Sequence, residues 1–323
     1  MTTTVDRHER SPRPADDASG PAILVRGLTK RFGAAEALRG IDLEVARGEI
    51  FAFLGPNGAG KTTAVEILEG LRERSDGDVR VLGRDPADAD GSWRNRVGIV
   101  LQESEPEPGL TVRESLALYA GYYRRPRRVD ETLALAGLES SAETLCQQLS
   151  GGQQRRLDVA LALIGDPELI FLDEPTTGFD PSARRAAWDA IDGLRALGKT
   201  IFLTTHYMEE AERLADRIAV IAEGIIVAEG TPQSLGRRDR LEATIRFTLP
   251  AGLTGPDLPP ALAQLARPDG AGRLTIRTST PLLRVHELSA WALAQGLDLP
   301  DLDVRRPTLE DVYLELTDDR KDG

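Results

Sequence analysis

At 323 residues the chain is longer than one hydrophobic core usually supports, so two domains are expected. Apolar residues make up 41%, as in globular proteins, while 52 acidic against 40 basic residues leave a net charge of −12 and exclude a sequence-independent nucleic-acid binder, which needs a basic face. A single cysteine, Cys146, excludes an intramolecular disulfide, fits a reducing compartment, and sits beside Gln147 and Gln148 as a packing residue.

Residues 1–20 are polar and rich in Pro, Asp and Arg, which predicts a disordered tail without the apolar segment of a signal peptide. No uncharged run exceeds about 11 residues, against the ~20 that cross a bilayer, so any membrane role requires another chain to do the crossing. Ile23, Val25 and Leu28, then Ile41, Leu43 and Val45, alternate as half-buried strands do. Phe32 ends the first of them, beside Gly33 and charge; it is either a core aromatic or a ring on which a base stacks.

Ile50–Leu54 is a continuous apolar run, hence a buried strand, and the stretch after it reads Gly55-Pro56-Asn57-Gly58-Ala59-Gly60-Lys61-Thr62-Thr63 before a helical segment. Strand, glycine loop, helix is the order that cradles a polyphosphate. The glycines let the backbone turn several N–H groups inward, and the helix N-terminus favours the negative charge. Lys61 then reaches the β/γ-phosphates and the Thr62 hydroxyl is placed for Mg²⁺, while by similarity to P-loop proteins Thr63 touches the α-phosphate.

Val79–Leu82 and Val97–Leu101 are short strands, the second ending at Gln102. Thr111-x-x-Glu114 is a capping box that opens a helix through Tyr122; Val129–Gly137 and Leu157–Ile164 add two more helical segments. Leu169–Leu172 runs straight into Asp173 and Glu174. A buried parallel strand thereby delivers two carboxylates to its C-terminal edge, where ligands of open α/β sheets bind. Asp173 suits direct or water-mediated contact with Mg²⁺. Glu174, expected on the opposite side of the strand, suits activation of a water that attacks the γ-phosphate. Thr200–Thr204 ends similarly at His206, and Ile218–Ala222 with Ile225–Val227 form a hairpin around Glu223-Gly224. Leu241–Leu249 and Leu274–Ile276 alternate, Pro281–Gln295 is helical, Leu299–Val304 is a candidate strand, and Thr308-x-x-Asp311 caps a last helix.

Leu149-Ser150-Gly151-Gly152-Gln153-Gln154-Arg155-Arg156-Leu157 has no purpose in a generic P-loop enzyme and resembles the signature of ATP-binding cassette (ABC) proteins. The other stations stand around it in cassette order: Phe32, the Walker A loop, Gln102, the Walker B strand ending in Asp173-Glu174, the D-loop Gly178-Phe179-Asp180, and His206. The resemblance implies an α/β P-loop cassette over residues 21–235, with a helical signature subdomain at about 103–165, and a small α+β domain over 236–323. It also assigns roles. Phe32 stacks on adenine, Gln102 ligates Mg²⁺ with Thr62 and Asp173, and Glu174 and His206 act on the γ-phosphate. Ser150, Gly151 and Gly152 bind the nucleotide of a second, head-to-tail copy, and Asp180 joins the two sites. Phe32 stands where Tyr is frequent, which keeps the stacking face, and Phe179 where Leu is frequent, which puts dimer packing in question.

The ending Pro307-Thr308-Leu309-Glu310-Asp311-Val312-Tyr313-Leu314 resembles the daunorubicin-resistance-like branch of bacterial export ATPases. The resemblance thus implies the ATP- and Mg²⁺-dependent subunit of an exporter of drug-like or lipid-like substrates. It would work as a homodimer on the cytoplasmic side of the membrane, beneath a separate transmembrane permease, without nucleic acid. A soluble ABC protein of translation or DNA repair is the alternative. It fits less well: the former carries two cassettes per chain, and the latter a coiled-coil or zinc insert, for which the segment between Gln102 and Leu149 has neither heptads nor the cysteines.

Overall fold

The computed structural model describes residues 20–100, 107, 109–235, 242–250, 252–269, 273–299, 301–306, 308, 311 and 313. Gln102, nearly all of the expected tail, the charged stretch 236–240 and most of the final helix lie outside them. Chain contacts divide the molecule into two compact units, Met1–Ile226 and Val227–Gly323.

The first unit opens with β1 (Ile23–Phe32) and β2 (Ala35–Val45), paired antiparallel, and β4 (Asp76–Val81) adds to the other side of β1. In β1, Ile23, Val25 and Leu28 are buried, and in β2 so are Ile41, Leu43 and Val45; a register shift between Val25 and Leu28 breaks strict alternation. Between β2 and β4 come β3 (Ile50–Leu54) and α1 (Lys61–Leu68). Short α2 (Gly91–Arg94) follows, capped by Asp90, and seats Trp93 in the core with its indole N–H on the Val81 carbonyl at 2.9 Å.

A second sheet carries the site. It contains β5 (Val97–Val100), β6 (Leu169–Asp173), β7 (Thr200–Thr205), β8 (Arg217–Ala222) and β9 (Ile225–Gly230), with β3 inside it, in the order β5-β6-β7-β3-β8-β9. The β5–β6, β6–β7, β7–β3 and β3–β8 pairings are all parallel. Every residue of β3 and β7 is buried, which is why β3 reads as an unbroken apolar run and β7 as an apolar centre flanked by threonines rather than as alternations. Glu223 and Gly224, with φ of 49° and 79°, make the tight turn from β8 to β9.

Helices α3 (Val112–Ala120), α4 (Val129–Ala136) and α5 (Gly151–Leu163) form a cluster with its own core of Val112, Leu116, Leu133, Leu138, Cys146, Leu157 and Ile164. Both bonds of the expected Thr111–Glu114 capping box are present. Helices α6 (Pro181–Ala196) and α7 (Met208–Leu214) precede and follow β7.

The second unit holds β10 (Ala243–Phe247), α8 (Pro260–Ala263), β11 (Ala266–Pro268), β12 (Leu274–Thr278), α9 (Pro281–Ala294) and β13 (Asp303–Arg305). Its antiparallel sheet has the order β11-β12-β10-β13, and Ile245, Phe247, Leu258, Leu262, Ile276 and Leu288 fill the core. The strand expected over Leu299–Val304 is shorter and later, at Asp303–Arg305; Pro300 has no N–H to give a ladder. Three-residue β11 gave no alternation to read.

The centre of the site-bearing sheet is aromatic. Phe202 is fully buried, and its ring centroid lies 5.7 Å from those of Phe51, Phe53 and Phe171 on the neighbouring strands. Truncating it removes the ring that all three share, so Phe202→Ala should destabilise the first unit by about 3–5 kcal/mol, read as a lowered urea midpoint. A loss under about 1 kcal/mol would mean that the neighbours close over the gap and that this cluster does not fix the sheet.

Candidate nucleotide site

Because β6, β7 and β3 are adjacent and parallel, their C-terminal ends share one edge, and the loops leaving them meet there. The loop after β3 is Gly55–Gly60. A Cβ on Gly55 would lie 2.4 Å from the Ile221 carbonyl oxygen, and one on Gly60, at φ +106°, would lie 2.6 Å from the Ala37 carbonyl oxygen. The loop is therefore pressed against its own protein at both ends, while Pro56, Asn57 and Gly58 between them are exposed. Lys61, the first residue of α1, is only 5% exposed. Its ammonium donates to the carbonyls of Gly55 at 2.8 Å and Pro56 at 3.2 Å. It also stands 3.4 Å from Oε1 of Glu174. Thr62 is exposed and Thr63 half-buried at the start of the same helix.

Glu174 differs from the simple alternation expected of it. The strand stops at Asp173, and Glu174 has φ of 44°, a left-handed conformation that costs a non-glycine residue about 1 kcal/mol or more. Thr204 holds this turn. Its hydroxyl accepts the Glu174 N–H at 2.9 Å and donates to Oδ1 of Asp173, so one side chain orients both acids. On the far side, the Thr177 hydroxyl donates to Oε2 of Glu174 at 3.1 Å, and Nδ1 of His206 lies 3.3 Å from the same oxygen. Burial pushes the Glu174 carboxyl up, but the Lys61 ammonium, the Thr177 hydroxyl and His206 outweigh it and hold the group below the usual carboxylate range. Lys61, Glu174 and His206 thus form one constellation around an ionised carboxylate.

The remaining expected residues fall into three groups. Phe32 ends β1 with its ring 44% exposed and the Arg72 and Lys30 cations each 5.1 Å from its centroid, so of its two readings the core one fails. Ser150 caps α5, exchanging bonds with the Gln153 N–H and side chain. Among the described residues no hydrogen bond joins Ser150, Gly151 or Gly152 to the Gly55–Thr63 stretch, and a Cβ on either glycine would meet nothing within 4 Å. Asp180 caps α6: its Oδ1 accepts the N–H groups of Ser182 at 2.7 Å and Ala183 at 2.9 Å, which keep the carboxyl below its usual range. The helix-capping acid is therefore Asp180, which leaves Asp173 and Glu174 to the strand edge.

The roles of Thr177 and Thr204 escaped the sequence reading, although the threonine pairs that follow Glu174-Pro175 and precede His206 were the available signal. Among the described residues no group of three His, Cys, Asp or Glu side chains could hold a metal ion. The Thr62 hydroxyl and the Asp173 carboxylate are oxygen donors of the kind Mg²⁺ takes, and a divalent cation bound with a polyphosphate would draw its further oxygens from that ligand.

Comparison with known proteins places the chain among relatives. The family described as ABC transporter matches residues 38–177, and that described as ABC transporter domain-containing protein-like, C-terminal domain, matches residues 243–308. The daunorubicin resistance ATP-binding protein DrrA3 of Streptomyces coeruleorubidus is 40% identical over 93% of this chain and 97% of its own length. The Nod factor export ATP-binding protein I of Rhizobium johnstonii is 40% identical over 94% of this chain and 97% of its own. Among solved structures, cbiO1 of Clostridium perfringens, part of the ABC transporter complex cbiONQ, superposes with a TM-score of 0.61 at 27% identity, over 67% of this chain and 90% of that one. A dimeric ATP-binding cassette in a post-hydrolysis state, bound to ADP and Pi, does so with a TM-score of 0.57 at 28% identity, over 65% and 98%. Among the described residues no helix is long and apolar enough to cross a membrane.

Gly55 has the least room of the loop glycines. Gly55→Ala should lower nucleotide affinity by about tenfold or more while the circular dichroism spectrum stays native, because the added carbon displaces the loop and not the core. Unchanged affinity in a fluorescent-nucleotide titration would show that the loop's seat on Ile221 does not shape the site.

Proposed function

We propose, from the premise that this chain belongs to the ABC transporter family of ATP-binding proteins, that it is the ATP-hydrolysing subunit of an exporter of drug-like or lipid-like molecules. One observation carries the hydrolytic part: Glu174 lies 3.4 Å from a buried lysine and 3.3 Å from a histidine, in a strained backbone conformation at the edge of a parallel sheet. A carboxylate kept ionised there can take a proton from an attacking water, and Lys61 beside it matches the negative charge of the transferred phosphoryl group. Gly55, Pro56, Asn57, Gly58, Ala59 and Gly60 with the α1 N-terminus supply the phosphate cradle, Thr63 lies on its α-phosphate side, and the exposed ring of Phe32 offers a face to adenine. His206, with Nδ1 toward Glu174, keeps its other ring nitrogen for the γ-phosphate. Mg²⁺ bound with the nucleotide would be held by Thr62, Gln102 and Asp173 and would neutralise charge on the β- and γ-oxygens.

Assembly follows from Ser150, Gly151 and Gly152. Glycine in the first turn of a helix costs stability, about 1 kcal/mol in a helix interior, and packing among the described residues does not call for it, since a Cβ there meets none of them within 4 Å. Small residues at an exposed helix N-terminus suit the close approach of a phosphate from another molecule. A head-to-tail homodimer supplies that phosphate, with Asp180 near the shared boundary, and the relative solved as a dimer with ADP and Pi fits that reading. The dimer would sit peripherally on the cytoplasmic side of the membrane beneath a separate permease, and the relatives named for drug resistance and Nod factor export support an outward direction. The domain over 236–323 carries none of the ATPase stations and is assigned to assembly.

Glu174→Gln should bind MgATP with near wild-type affinity yet lose hydrolysis by about a hundredfold or more, since the amide keeps the shape and cannot take the proton. Near wild-type turnover would remove the carboxylate from the mechanism. The composite site has its own test. Lys61→Ala and Ser150→Arg chains, each inactive alone, should regain part of the activity when mixed, because one heterodimer site is then intact; full hydrolysis by Ser150→Arg alone would refute the shared site.

A further inference from the structure

Glu210 lies in the first turn of α7 and is 0% exposed. Its Oε1 accepts two bonds, from the Thr176 hydroxyl at 2.8 Å and from the Trp188 indole N–H at 3.1 Å. The Thr205 hydroxyl faces the same carboxyl and, of the three donors, favours its charged form most, while among the described residues Oε2 meets no partner at hydrogen-bond geometry. Burial pushes this carboxyl up, above the ordinary carboxylate value, against the pull of those donors and of Arg184.

The positions of the donors matter more than their number. Thr176 is part of the turn that begins at Glu174 and whose next residue, Thr177, donates to Glu174 at 3.1 Å. Thr205 directly precedes His206, and its hydroxyl accepts the Tyr207 N–H at 2.9 Å, which fixes the chain around the imidazole. Trp188 belongs to α6, the helix capped by Asp180. One buried carboxyl therefore spans the segment that carries Glu174, the segment that carries His206, and the helix that follows the D-loop. We propose that Glu210 is a positioning residue, which locks the Glu174 turn to the His206 turn so that carboxylate and imidazole keep their 3.3 Å approach. This rests on the hydrolytic reading of Glu174. A polar group in this place could be replaced by any side chain that fills the volume if it only packed α7 against the sheet; a positioning role needs the acceptor oxygen.

Steady-state hydrolysis and nucleotide titration of the full chain separate these cases. Thr176→Val and Glu210→Ala should lower kcat by about tenfold or more, with KM and nucleotide affinity within about twofold, since the phosphate cradle is untouched. Glu210→Gln, whose Oε1 accepts both bonds, should recover about half or more of the wild-type kcat. Wild-type kcat in folded Thr176→Val, or a Glu210→Gln as impaired as Glu210→Ala, would overturn the role; if Glu210→Ala fails to fold, the other two variants decide. Glu174→Gln measured in parallel distinguishes the failures. Full hydrolysis by it overturns the assignment of Glu174 and this inference together, whereas its loss beside an unimpaired Thr176→Val overturns the positioning role alone.

Discussion

An ammonium group that is 5% exposed has to be compensated, because burying an unpaired charge costs several kcal/mol. Lys61 meets that demand with two loop carbonyls and one carboxylate, and each partner constrains a different part of the chain. The carbonyls of Gly55 and Pro56 turn toward it only if the loop folds back over the start of α1, which requires glycine where the backbone passes within 2.4 to 2.6 Å of where a Cβ would sit. The carboxylate reaches it only because β6 and β3 flank β7 in one parallel sheet, so their C-terminal ends share an edge. Buried aromatic packing between those three strands is what keeps the edge in register.

Much of this was legible in the order of residues. Apolar runs without alternation at Ile50–Leu54 and Leu169–Leu172 marked central parallel strands, and the glycine loop and the two acids were each readable as chemistry at a strand end. Capping boxes at Thr111 and Thr308 survive into the structure bond for bond, because both partners lie within one turn of chain. What was not legible depends on contacts distant in sequence. Thr204 lies 31 positions from Asp173 yet orients it. Glu210, which in sequence is one acid among several in a polar helix start, proves to be wholly buried through partners 34 and 22 positions away. The left-handed backbone at Glu174 has no signature in its residue type, and it is what sets the acid off the strand rather than on its opposite face.

The second unit shows the same limit from the other side. Its longer elements, β10, β12 and α9, follow apolar periodicity, whereas β11 and β13 are three residues each at the sheet's two edges, where one neighbour and no alternation define them. The match of a distinct C-terminal family over residues 243–308 agrees with a module that carries its own core. None of the residues expected at the nucleotide site belongs to that core.

The account depends most on the claim that Lys61, with Thr177 and His206, outweighs burial and keeps Glu174 ionised. Infrared difference spectra of the wild-type chain against Glu174→Gln, recorded across acid to neutral pH, read that carboxyl directly. A group held below its ordinary value should show the carboxylate band at neutral pH and keep it down through pH ~4.5, converting to the protonated band only under more acidic conditions. A protonated carboxyl at neutral pH would contradict the account, because a neutral acid beside Lys61 could not serve as the base.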